Sequence, residues 1–112
     1  MSAVVELSAK KCQTGESGEG KLSHAMIVEL HQQVAGWDIV GEALQRVFKF
    51  KNYYEAVAFV NATAWISHRE DHHPDIELGF NKVTMRYSTH SAGGLTENDF
   101  ICAAKVNALL SI

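Results

Sequence analysis

The sequence predicts an α+β domain in two layers, a four-stranded antiparallel sheet with three helices on one face. Two observations carry that prediction. Apolar residues recur at helical spacing in three segments and in strand-like runs in four others, with turn residues between them. The order along the chain is helix, two strands, helix, two strands, helix. A length of 112 residues fits one domain, and 46% apolar with 21% charged residues is ordinary globular composition.

Residues 1–20 read as a flexible N-terminal tail, because Lys10 to Gly20 is rich in Gly, Ser and Glu and has no apolar period. Val4, Val5 and Leu7 leave open a pairing with an edge strand. The domain proper is expected over 21–112. Ser23 caps a first helix carrying Met26, Leu30 and Val34, with Leu22 in the same stripe and Gly36 as its stop. Trp37 to Val40 reads as a short strand. Gly41-Glu42 makes a turn, and Leu44 to Phe50 forms a second strand with Leu44, Phe48 and Phe50 on one face. Arg46 shares that face and spoils the alternation.

Asn52-Tyr53-Tyr54-Glu55 has capping-box spacing. The helix it opens presents Ala56, Phe59, Val60, Thr63 and Ile66, and must end before Pro74, which biases His73 toward extended dihedrals. Ile76, Leu78 and Phe80 alternate, as do Val83, Met85 and Tyr87, with Asn81-Lys82 as the hairpin turn. Continued alternation points His90 away from the core face. Gly93-Gly94 breaks the chain, and Thr96 to Asp99 is a second capping box for a last helix bearing Phe100, Ala103, Ala104, Val106 and Leu110.

Charge and composition exclude some roles. A net charge of −3 gives no basic excess for nucleic acid. No run approaches the ~20 apolar residues of a membrane span, and no secretory signal pattern is visible. Cys12 falls in the polar tail, whereas Cys102 falls in a helical apolar pattern. A disulfide between them is not expected, and a reducing cytoplasmic setting fits.

The chemistry concentrates in Asp71-His72-His73-Pro74, Ser88-Thr89-His90 and Gly94 to Asp99. Three of six histidines lie at junctions between elements, where side chains can converge. Imidazole gives and takes protons near neutral pH, and fixed junctions suit general acid–base catalysis. A solvated surface role is the plain alternative for any one of them. His68 and His72 stand four apart, a spacing that can place two imidazoles on one helix face. Arg69 stands where a zincin glutamate belongs, so no metal site is assigned. Asp99 has two compatible readings, as partner of the Thr96 cap or as a carboxylate that orients a histidine. Tyr53, Tyr54 and Trp37 read as packing residues. Asn61-Ala62-Thr63 matches a glycosylation pattern but lies inside a helix, and is set aside.

Together, Gly36-Trp37, Phe48-Lys49-Phe50, Asp71-His72-His73-Pro74, Phe80-Asn81-Lys82-Val83, Ser88-Thr89-His90, and Gly94-Leu95-Thr96 with Asp99 resemble the pterin-4a-carbinolamine dehydratase family over residues 22–112. The resemblance implies a four-stranded antiparallel sheet with three helices. It also implies dehydration of 4a-hydroxytetrahydropterin, here the tetrahydrobiopterin form, to quinonoid dihydropterin in tetrahydrobiopterin recycling. On that resemblance the catalytic residues are His72, His73 and His90. Asp71, Pro74, Thr89, Ser91 and Asp99 are substrate-binding, and no metal or cofactor is needed because the pterin is the substrate. His68 and Ile76 stand where many members have Glu and Trp, and Ser91-Ala92-Gly93 differs from the vertebrate form. These departures bear on substrate affinity and side-chain selectivity. The family also implies alternatives: a dimerisation cofactor for a homeodomain transcription factor, or a role in molybdopterin metabolism.

A homo-oligomer, dimer or tetramer, is expected on two grounds. A four-stranded sheet leaves edges to cover. The last helix is apolar around much of its circumference, through Phe100, Ile101, Ala103, Ala104, Val106, Ala108, Leu109 and Leu110.

Overall fold

A computed structural model describes residues 6–13 and 20–111. A 3-10 turn at Leu7–Ala9 comes first, then α1 (His24–His31), β1 (Asp38–Val40), β2 (Ala43–Lys49) and α2 (Tyr53–Glu70). After these come β3 (Asp75–Leu78), β4 (Lys82–Tyr87), a 3-10 turn at His90–Ala92, and α3 (Glu97–Leu109). The strands form one antiparallel sheet in the order β1-β2-β4-β3. The expected α+β architecture is therefore present.

The core face of the sheet comes from the central pair. Leu44 lies opposite Tyr87 and Phe48 opposite Val83, and all four are buried. Ala56 and Phe59 of α2, Phe100, Ala103 and Val106 of α3, and Trp37 close over them. The other face is polar. Arg86 donates from Nε to Gln45 Oε1 at 2.7 Å and reaches Glu77 Oε1 at 3.4 Å.

Arg46 does not spoil its strand. Its guanidinium lies 4.7 Å from the centre of the Phe48 ring and donates to Asn107 Oδ1 at 2.7 Å, so its stem covers apolar surface while its head finds partners. Gly36 serves this arrangement rather than stopping α1, which ends earlier, at His31. At φ +87 a side chain there is strained, and a Cβ would sit 2.7 Å from Arg46 Cζ.

Other expectations shift. The hairpin turn is Phe80-Asn81, not Asn81-Lys82. Leu78 pairs with Val83, and Gly79 N–H donates to Lys82 O at 2.8 Å, so register places the closing pair one residue earlier. The tail reading fails for residues 6–13, and the remainder of 1–20 that it covered, apart from Gly20, lies outside the described residues. Leu7 and Cys12 are buried, and the 3-10 turn packs on α3. That packing also answers the apolar surplus of α3. Phe100, Ile101, Ala103, Ala104 and Val106 are all buried within one chain, leaving Ala108 and Leu110 exposed.

Candidate active site

Asp99 is the centre of the site. It is fully buried, in the first turn of α3, and its two oxygens do separate work. Oδ2 accepts from the Thr96 backbone N–H at 2.9 Å, which ties the helix start, and from Thr89 Oγ1 at 2.9 Å. Thr96 Oγ1 lies 2.9 Å from Thr89 Oγ1. With the Thr89 proton given to Asp99, the Thr96 hydroxyl is the donor of that pair. Oδ1 faces His72 Nε2 at 2.7 Å. Both sequence readings of Asp99, cap and histidine partner, hold at once.

His72 reaches Asp99 because α2 stops where it does. Asp71 takes the left-handed conformation, φ 52 and ψ 43, and its N–H and that of His72 both donate to Ser67 O. Asp tolerates this conformation better than most residues. The chain then turns inward, and Pro74 keeps it extended into β3. The His72 imidazole runs nearly parallel to the Tyr87 ring, 9° apart with centres 5.8 Å apart. Because α2 ends at Glu70, His68 and His72 do not share a helix face, and the four-residue spacing loses its meaning.

The remaining predicted residues are dispersed. His73 and Pro74 line a cleft of about 260 Å3 with Val60, Ala64, Ser67, His68 and Ile76. His90 lies in a second opening of about 250 Å3, lined by Glu42, Ala43, Ser88, Thr89, Gly93 and Gly94. β4 ends at Tyr87, so His90 opens a 3-10 turn instead of continuing the strand's alternation. Asp71 and Ser91 are exposed. Thr89 bridges the parts: its hydroxyl holds Asp99, its backbone pairs with Gly94, and it lines the opening that holds His90. None of these openings contains two of His72, His73 and His90, and each falls below the roughly 300–1,000 Å3 common for ligand pockets.

Sequence reasoning missed three residues around this centre. Tyr87 was legible only as a core position. Burial, with the Cys102 thiol and the Asp99 charge nearby, pushes its phenol well above the usual range. Its hydroxyl makes no hydrogen bond of ordinary geometry among the described residues, although the Ser67 side chain lies near enough to pull the phenol's pKa part of the way back down. Glu70 and Asn98 form a clamp on the N-terminal segment. Cys12 N–H donates to Glu70 Oε1 at 2.8 Å, and Asn98 exchanges two hydrogen bonds with the Gln13 backbone, at 3.0 and 2.6 Å. Burial works against ionising Glu70, but the Cys12 N–H, Lys105 and Lys11 together hold its carboxyl below the ordinary value. Only a carboxylate at a helix end hinted at this in sequence.

The fold is an α+β domain in which a buried carboxylate binds a histidine at a helix-to-strand junction. Residues 20–109 match the family described as pterin 4 alpha carbinolamine dehydratase, and the chain belongs to that family. A relative from Nitrosospira multiformis, provisionally named for that activity, is 50% identical over 111 residues, spanning 99% of this chain and 98% of its own. One from Stenotrophomonas maltophilia with the same provisional name is 49% identical, over 97% and 96%. Among solved structures, a transcriptional coactivator/pterin dehydratase from Brucella melitensis superposes with a TM-score of 0.76 at 35% identity, covering 80% of this chain and 98% of that one. A pterin dehydratase-like protein identified as a RuBisCO assembly factor in the alpha-carboxysome matches with a TM-score of 0.53 at 28% identity, covering 65% and 84%.

Proposed function

We propose that this protein removes water from 4a-hydroxytetrahydrobiopterin to give quinonoid dihydrobiopterin, by acid–base chemistry of His72, His73 and His90, in tetrahydrobiopterin recycling in the cytoplasm. The observation that carries the reading is the buried Asp99 carboxylate, which grips His72 through one oxygen and Thr89 and Thr96 through the other. A carboxylate spent only on capping needs no such second partner.

The proposed reaction breaks the C4a–O bond and removes the N5 proton. The N5 electron pair becomes the new C4a–N5 double bond, and the hydroxyl leaves as water after gaining a proton. His72 donates Nε2–H to Asp99, which leaves Nδ1 as the nitrogen free to accept the N5 proton. Asp99 then stabilises the resulting imidazolium, as a buried carboxylate does for histidine in hydrolase triads. His73 and His90 are the candidates for protonating the leaving hydroxyl. Asp71, Pro74, Thr89 and Ser91 are proposed to line the bound pterin. Only protons and water move, so the scheme calls on no metal or redox group.

A homo-oligomer belongs to the same proposal. Ile76 and Leu78 on the edge strand β3 and Phe80 in its turn are exposed, beside the cleft that holds His73. A second reading, binding of a partner protein, is favoured by one observation: Tyr53, Tyr54 and Trp65 are exposed on α2. A dehydration assay on enzymatically generated 4a-hydroxytetrahydrobiopterin separates the two. The wild-type chain should accelerate water loss, and His72→Ala and His90→Ala should each lower kcat by roughly two to four powers of ten. An inert wild-type chain, or a fully active double variant, overturns the enzymatic reading.

A further inference from the structure

The two cysteines, 90 positions apart in sequence, meet in the fold. Cys12 Sγ lies 3.7 Å from Cys102 Sγ, and both are buried free thiols. The contact is held from several sides. Cys12 Sγ also approaches Asn98 O at 3.7 Å, its N–H is fixed by Glu70, and the next residue, Gln13, is bound on both backbone groups by Asn98. Cys102 is fixed in the middle of α3. A chance meeting of thiols at the end of a loose tail would have none of this support. The contact also brings together two residues for which no disulfide was expected, one assigned to a polar tail and the other to an apolar helix pattern. Sparse apolar residues hid the packing of 6–13, so Cys12 read as part of a tail.

We propose that Cys12 and Cys102 are a redox-active dithiol site, which a peroxide converts to an intramolecular disulfide fastening residues 6–13 to α3. Closing the 3.7 Å gap to the ~2.05 Å of a disulfide requires the sulfurs to approach by less than about 2 Å. Cys12 is the entry point, because it retains slight exposure, 9%, whereas Cys102 has none. The Cys12 thiolate attacks the peroxide O–O bond, giving Cys12 sulfenic acid and releasing water once the leaving hydroxide takes a proton. The Cys102 sulfur then displaces the sulfenic hydroxyl, and its own proton leaves with that hydroxyl as a second water. Two thiols and one hydrogen peroxide thus become one disulfide and two waters. Cys102 takes the second role by position, its sulfur being 3.7 Å from Cys12 Sγ and fixed within α3.

The fastening has a structural address. Glu70 stands two residues before His72 and Asn98 one before Asp99, so the clamp on Cys12 and Gln13 spans the ends of α2 and α3.

The test treats the intact folded chain with hydrogen peroxide, blocks residual thiols with an alkylating agent, digests with trypsin and reads masses. The expected result is loss of both thiols together and one cross-linked species, Cys12–Lys21 joined to Tyr87–Lys105, two hydrogens lighter than the separate peptides. It should vanish on reduction and be absent from Cys12→Ser and Cys102→Ser. The oxidised chain should melt roughly 5–15 °C higher than the reduced one, since the closed loop is long. Four results overturn the proposal: both thiols inert in the folded chain, Cys12 oxidised to sulfinic acid with Cys102 untouched, cross-links only between chains, or a cross-link with no rise in Tm. All readouts are independent of dehydratase activity.

Discussion

Tyr87 shows how a residue can be placed by packing and still shape a site. Its alternation with Val83 and Met85 marked it as core, and it is fully buried. What the sequence could not convey is that its ring faces His72 and that its hydroxyl makes no hydrogen bond of ordinary geometry among the described residues. A buried unpaired hydroxyl costs about 1–3 kcal/mol. Tyr87→Phe is therefore expected to leave stability unchanged or raise it by about 1 kcal/mol, while keeping the ring against His72. Urea unfolding of the pair of proteins checks this, and a loss of stability would reveal a hydrogen bond to the phenol. Asp99 was more legible, because a capping-box spacing identifies one of its bonds directly from sequence. The His72 bond depends on how two elements 27 residues apart come together, which no local pattern encodes.

At the scale of elements, strong local signals were legible and weak ones were not. The caps of α1, α2 and α3 at Ser23, Asn52 and Thr96 lie where spacing put them. The segment 6–13 was missed because its two buried residues, Leu7 and Cys12, follow no period, and its partners Glu70 and Asn98 are 58 and 85 positions away. Its attachment has a pH signature. Glu70 is held below its ordinary value of 4.5 in the folded chain. A depressed carboxylate contributes stability that is full above its unfolded value and is lost as pH falls through the folded one. Wild type should thus be more stable than Glu70→Gln by a constant margin above about pH 5, and the margin should shrink below that. Unfolding midpoints across pH 3–7 test it, and a margin that persists unchanged at pH 3 contradicts the ion-pair account.

At the scale of the whole molecule, one of two grounds for an oligomer has narrowed. Most of the apolar girth of α3 is satisfied inside the chain, partly by residues 6–13, and only its C-terminal end, Ala108 and Leu110, stays exposed. The edge-strand ground stands, since β3 presents Ile76 and Leu78 at 37% and 40% exposure and, among the described residues, no strand pairs with its outer side. Exposed Trp65 and Tyr54 on α2 add apolar surface. Light scattering at micromolar concentration should give a multiple of 12.4 kDa, and a stable particle of that single mass would leave these surfaces unexplained.

The central claim is that His72 and Asp99 act as one unit in a dehydration. A double-mutant cycle on kcat/KM in the dehydration assay tests it most directly, using His72→Ala, Asp99→Asn and the double variant, with thermal unfolding confirming that each is folded. Groups that work as a unit are non-additive. The account predicts that Asp99→Asn costs wild type roughly two orders of magnitude or more but costs the His72→Ala protein almost nothing. Equal losses in both backgrounds would contradict it, leaving Asp99 a helix cap and His72 a neighbour.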